Sequence, residues 1–154
     1  MQIKYTIVRF AEEKDIETIS RLERENFRDA WSKKAIQETI SNQHAFIVVA
    51  EQLSQIIGYC IIYHVLDEGE IARIAVDKTC RRQGVGKQML DFVKTLSEQQ
   101  QESSKIMRLL LDVRESNIAA RKFYENYGFC EDGIRKNFYD SPREHAVLMK
   151  IDFV

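Results

Sequence analysis

The segment Arg81-Arg82-Gln83-Gly84-Val85-Gly86-Lys87 carries the residue types best suited to holding a ligand. It follows the apolar run Ile74-Ala75-Val76-Asp77 across the link Lys78-Thr79-Cys80, and it opens a stretch with helical spacing. A helix N-terminus presents backbone N–H groups without intrahelical partners and roughly half a unit of positive charge, a setting that suits a phosphate or pyrophosphate. Gly84 and Gly86 let the backbone approach such a group, and the neighbouring arginines add charge. The spacing is neither GxxxxGK with a following Ser or Thr nor GxGxxG, which disfavours a nucleotide-binding fold. Taken alone, a GxG before a helix also suits a tight connection with no ligand.

A second group of residues runs from Leu111-Asp112-Val113-Arg114-Glu115-Ser116-Asn117 through Phe123-Tyr124 to Tyr127-Gly128-Phe129. Asn117 and Tyr124 are two helical turns apart, on one face and about 10 Å from each other along the axis, a span suited to an elongated cofactor. Asn117 is equally a good helix N-cap and Tyr124 a good core aromatic.

The elements that must position these groups follow from periodicity. Residues 5–10 read as a strand, and a helix from about Asp15 carries Ile16, Ile19 and Leu22. Ser32 is a candidate N-cap for a second helix with Ile36 and Ile40. Residues 44–51 and 56–65 form a hairpin, and residues 70–77 a third strand after the acidic turn Asp67-Glu68-Gly69. Beyond the glycines, Val85, Met89, Phe92, Val93 and Leu96 mark a helical face, and residues 98–104 read as a helix end and loop. Residues 106–113 are nearly all apolar, which predicts a strand buried on both sides and parallel to the one before the intervening helix. A helix over 117–127 ends at Gly128, and two strands, 129–136 and 145–153, follow. The expectation is a mixed α/β sheet in one domain spanning residues 1–154, with no linker or repeat to divide it.

Composition narrows the classes. A 44% hydrophobic and 31% charged chain with net charge -1 reads as an ordinary globular protein, with no general attraction to nucleic acid and no membrane-spanning run. The first ten residues lack the features of a secretory signal, so a cytoplasmic location is expected. Cys60, Cys80 and Cys130, and His44, His64 and His145, show no disulfide framework or metal spacing, so no metal is expected.

In this order and spacing, the two groups of residues resemble the GNAT superfamily of N-acetyltransferases. The coenzyme A loop of that superfamily reads Arg or Gln, two residues, Gly, one residue, then Gly or Ala, as residues 81–86 do. VRESNIAARKFYENYGF and GIRKNFY are similar to the branch that acetylates the N-terminal alanine of a small-subunit ribosomal protein. The likeness extends over residues 8–149 and is densest over 65–139. It implies a three-layer α-β-α fold, with about six or seven strands, splayed central parallel strands and about four helices.

The resemblance also implies that Ile74, Ala75 and Val76 bind the acetyl-pantetheine arm of acetyl-CoA through their backbone, while Arg82, Gln83, Gly84, Val85, Gly86 and Lys87 hold its pyrophosphate. Asn117 would contact the pantetheine side, and Tyr124 would donate a proton to the departing thiolate. The general base, usually a glutamate, falls on Asp112, which is one methylene shorter. The cluster Asp67, Glu68 and Glu70 is an alternative source of the base, or simply a solvated turn. Position 145, commonly acidic in that branch, is His145 here.

The implied reaction is direct attack by a primary amine in a ternary complex. An α-amine of pKa ≈ 7.7–8.0 needs less help to lose its proton than a lysine of pKa ≈ 10.4, so a weak base suits an N-terminus. The acceptor classes are a protein N-terminus, with a ribosomal protein favoured, a protein lysine, or a small amine such as a polyamine or aminoglycoside. The enzyme is expected as a monomer or weak homodimer. A non-catalytic acyl-CoA-binding module is the reading from another class.

Overall fold

Alternation at period two and helical spacing at period 3.6 assemble into a seven-stranded sheet with helices on both faces. The structure is a computed structural model and describes residues 5–99 and 105–153. In chain order the elements are β1 (Ile7–Phe10), α1 (Ile16–Asn26), α2 (Lys33–Ile40), β2 (Ala45–Gln52), β3 (Gln55–Val65), β4 (Glu68–Val76), α3 (Val85–Gln99), β5 (Arg108–Arg114), α4 (Ile118–Tyr127), β6 (Cys130–Tyr139) and β7 (Glu144–Asp152). The sheet order is β1-β2-β3-β4-β5-β7-β6, and among the described residues β4 and β5 are the one parallel pair. The expected mixed sheet with four helices is therefore present. Residues 100–104 of the loop expected over 98–104 lie outside the described residues, as do residues 1–4 and 154.

Two cores hold the layers together. On one face α3 and α4 bury Met89, Leu90, Val93 and Tyr124 against Cys60, Ile62, Leu109 and Leu111. On the other, α1 and α2 bury Ile19, Leu22 and Ile36 against Val49, Tyr59 and Ile61. Burying one such aliphatic side chain contributes about 1.5–3 kcal/mol. The helix starts are satisfied as their sequences suggest: Ser32 accepts from the Ala35 N–H at 3.1 Å, and Asn117 from the Ala120 N–H at 3.2 Å. Gly128, at φ 125°, closes α4.

The centre of the sheet comes apart. β4 and β5 pair through Glu68 with Arg108, Gly69 with Leu109 and Glu70 with Leu110, and pairing stops there although both strands continue. Just beyond, β4 carries an extra residue: Ile62 sits opposite Ile71 and Ile61 opposite Arg73, leaving Ala72 as a bulge. A bulge bends its strand and raises the local twist, which turns β4 away from β5 and opens a cleft.

Burial on both faces of β5 was expected and is not observed. Leu109, Leu111 and Val113 are buried, whereas Leu110, Asp112 and Arg114 are only half-buried. Their face borders the cleft, which an apolar run in the sequence does not announce.

Candidate active site

On the α3 side, the cleft is bounded by a loop held at its ends. The Asp77 carboxylate accepts from the Thr79 N–H at 2.9 Å and the Thr79 hydroxyl at 2.7 Å, and these bonds hold it below the usual range. Arg81 Nε donates to the Val76 carbonyl at 3.1 Å, tying the loop to the end of β4. Gly84 has φ 77°, and a Cβ there would meet nothing within 4 Å, so backbone conformation alone selects glycine. The first bond of α3 runs from the Gln88 N–H to the Gly84 carbonyl at 3.0 Å, so the N–H groups of Val85, Gly86 and Lys87 stand ahead of the helical ladder.

The two glycines have different work. A Cβ at Gly86 would lie 2.9 Å from Cζ of Phe123, so the missing side chain makes room for α4 to pack against α3. Close approach of a ligand, the reason for both glycines suggested by the sequence, is matched by the open surroundings of Gly84. Lys87 Nζ reaches Asp91 at 2.9 Å along its own helix, whereas Arg82 and Gln83 are exposed and make no hydrogen bond or ion pair among the described residues.

Tyr124 lies in the wall of the same cleft. It is 6% exposed and packs edge-on against Phe123 and Phe129, yet its hydroxyl has no hydrogen-bond partner among the described residues. Burial raises its pKa, and the nearby Cys60 and Tyr139 raise it further. Tyr139 is half-buried, and its pKa is raised first by burial and then by the charge of Asp112. The Glu70 carboxyl is raised by partial desolvation and then by Asp112, with Arg135 opposing. Glu70 stands in the last β4–β5 pair, opposite Leu110, and Asp112 follows two residues further along β5, at the opening, near enough to Glu70 and Tyr139 for its charge to act on both.

Asp67 and Glu68 lie at the other end of the strand pair. The Asp67 carbonyl accepts the Met107 N–H, and Glu68 pairs with Arg108 in the sheet. Of the acidic cluster, Glu70 alone joins Asp112. Asn117 is exposed at the start of α4 with its carbonyl oxygen engaged as the cap. His145 Nδ1 accepts the Asn137 N–H at 2.9 Å between β6 and β7. No group of three or more His, Cys, Asp or Glu side chains placed to hold a metal occurs among the described residues.

Glu23, Tyr59, Trp31 and Arg73, which the sequence alone did not single out, complete the α1 side. Glu23, wholly buried, accepts from the Tyr59 hydroxyl at 2.5 Å, the Trp31 N–H at 2.9 Å and Arg73 Nε at 3.1 Å. Glu23 continues the buried stripe of Ile16 and Ile19, so a carboxylate at an apolar position was the available signal. Tyr139 lies under Arg114, whose guanidinium is 4.4 Å from its ring and donates to the carbonyls of Pro142 and Asp140. That grip holds the β6–β7 turn against the end of β5.

Residues 16–129 match the acetyltransferase (GNAT) family, and the chain belongs to that family of acetyl-CoA-dependent N-acetyltransferases. Its similarities are also more specific. The ribosomal protein bS18-alanine N-acetyltransferase of Haemophilus influenzae is 36% identical over 138 residues, covering 88% of this chain and 90% of the relative. The Haemophilus ducreyi protein of the same description is 32% identical, covering 90% and 94%. The crystal structure of the ribosomal-protein-S18-alanine N-acetyltransferase from Escherichia coli superposes with a TM-score of 0.85 at 28% identity, covering 97% of this chain and 94% of that one. No described helix is long and apolar enough to cross a membrane.

Proposed function

We propose that this protein, acting as one acetyltransferase domain, moves an acetyl group from acetyl-CoA onto the N-terminal α-amine of an alanine on a ribosomal protein. The observation that carries the reading is the cleft between β4 and β5, with a largely buried tyrosine beside it whose hydroxyl makes no hydrogen bond among the described residues. The relatives described as ribosomal protein bS18-alanine N-acetyltransferases support the choice of acceptor.

The residues fit acetyl-CoA on the structure's own terms. The edge of β4 beyond Glu70 has backbone groups of Ile74, Ala75 and Val76 free of β5, matching a ligand that takes the place of a strand. The N–H groups at the start of α3, together with Arg82, Gln83 and Lys87, would hold the pyrophosphate, and the Asn117 amide would touch the pantetheine arm. Acetyl-CoA supplies the thioester whose C–S bond breaks. Backbone N–H groups on β4 polarise the carbonyl, and Tyr124 protonates the leaving sulfur.

A phenol whose pKa is raised by burial stays protonated at neutral pH, as an acid must. Asp112 takes the proton from the amine, and Glu70 adds to a negative field that favours an amine in the cleft. The modest base demand of an α-amine suits this arrangement. A covalent route through Cys60 is disfavoured, since burial pushes that thiol up to about 12 and keeps it neutral.

The test is mass spectrometry on a peptide offering both an N-terminal alanine and an internal lysine, incubated with the protein and acetyl-CoA, with free thiol followed in parallel. Acetylation of the α-nitrogen is expected. Modification of the ε-nitrogen alone would replace the acceptor class, and absence of thiol release with any amine would leave a binding module.

A further inference from the structure

Arg73 sits on the part of β4 that the bulge has turned, three residues beyond the last pairing with β5. Its side chain crosses to the face covered by α1 and is only 15% exposed. There its donors are divided between two partners: Nε donates to buried Glu23 at 3.1 Å, and the other end of the fork reaches the Asp29 carbonyl at 2.9 Å and its carboxylate at 3.3 Å. The guanidinium also lies 4.2 Å from the ring centre of Phe27 and 5.7 Å from that of Trp31. Phe27, Asp29 and Trp31 all belong to the short connection between α1 and α2.

That connection faces the reaction. Arg114, on the β5 face it shares with Asp112, stacks on Tyr139 at 4.4 Å, and Arg73 of β4 reaches Glu23 and Asp29 on the α1 face of the same sheet, so the α1–α2 connection and the β6–β7 hairpin are each gripped by an arginine from a strand that borders the cleft. The cofactor loop is tied to the end of β4 by Arg81 Nε on the Val76 carbonyl and to the end of α1 by Arg81 Nη2 on Asn26 Oδ1, and it makes no hydrogen bond or ion pair with Arg73 among the described residues.

We propose that Arg73 is a positioning residue that fixes the α1–α2 connection as one wall of the acceptor cleft, so that acceptor affinity depends on it and acetyl-CoA affinity does not. This rests on the reading of the cleft given above and assigns its specificity to a particular side chain. A lysine at this position keeps a charge near Glu23 but cannot fork to Asp29 or stack flat on two rings. Leucine in place of Phe27 removes a stacking partner while leaving the buried ion pair intact.

The experiment compares Arg73→Lys and Phe27→Leu with the wild type in steady-state kinetics, using the N-terminal alanine peptide and any other amine the wild type turns over. Acrylamide quenching of Trp31, the sole tryptophan, is measured on the same samples. For Arg73→Lys, the acceptor KM should rise about tenfold, the loss of roughly one charge-assisted contact, with acetyl-CoA KM within about twofold and kcat within about threefold. Phe27→Leu should shift the acceptor KM in the same direction by less, and quenching should increase in both. An unchanged acceptor KM, an equal rise in both KM values, a fall in kcat alone, or unaltered quenching would overturn the proposal. If the wild type ignores the peptide but acetylates another amine, the acceptor reading fails while Arg73 is judged on that amine. If it turns over none, quenching and acetyl-CoA titration decide, and unaltered quenching or weakened cofactor binding overturns the role.

Discussion

On the α3 side of the β4–β5 cleft the chain contributes mainly backbone: the start of a helix, a glycine at positive φ, and exposed side chains awaiting a partner. On the α1 side it contributes side chains already committed to one another, with Glu23 joined to Tyr59 and Arg73 across 36 and 50 residues of sequence. The first construction suits a ligand that never varies, since amide hydrogens arranged by a helix start recognise phosphate whatever residues surround them. The second suits a variable acceptor, because its shape is set by packed side chains that substitution can alter.

Four experiments would sharpen or break this contrast, the largest effect first. Tyr124→Phe, at the junction of the two sides, should lower kcat by about 10²- to 10⁴-fold while acetyl-CoA affinity, read by titration, stays put. Unchanged turnover would remove Tyr124 as the acid. Glu23→Ala should destabilise the fold by about 3–5 kcal/mol in denaturant unfolding, because Arg73 is left without its buried counter-charge. A loss below about 1 kcal/mol would mean that the α1 side is not held together as described.

Asp112→Asn should slow acetylation about tenfold below pH 7, where an α-amine is mostly protonated and needs a base, and the gap should close above about pH 8.5. A pH-independent deficit would point to positioning rather than proton transfer. Gly84→Ala should weaken acetyl-CoA binding by about tenfold, the equivalent of about 1–2 kcal/mol of left-handed strain, with the acceptor KM unaltered. Should the acceptor constant move instead, the division of labour across the cleft would be wrong.

The same contrast explains what could be read in the sequence. The order of strands and helices was legible because it depends on local spacing: the face through Val85, Met89 and Val93, the caps at Ser32 and Asn117, and the glycine after Tyr127 all appear where their periodicity puts them. The loop over 81–87 was legible for the same reason. Arg73 was not, because its role depends on a one-residue irregularity in strand pairing and on partners in another layer. Glu70 looked like part of an exposed acidic turn, and only the sheet register separates it from Asp67 and Glu68. Gly86 could be read only as part of a ligand loop, because the close packing of Phe123 against it depends on a residue of another helix.

Ala72 gives β4 a half-step out of phase with itself. Ahead of it the strand keeps ordinary cadence with β3, and after it every side chain has changed hands, which is why Ile71 and Ile74 point the same way although three positions separate them. Were Ala72 drawn into register opposite Ile61 instead, the beat would be regular and the guanidinium would swing beneath α3 while the next isoleucine turned toward α1. An inserted residue thus allows a continuous ribbon of chain to address two molecules from opposite sides.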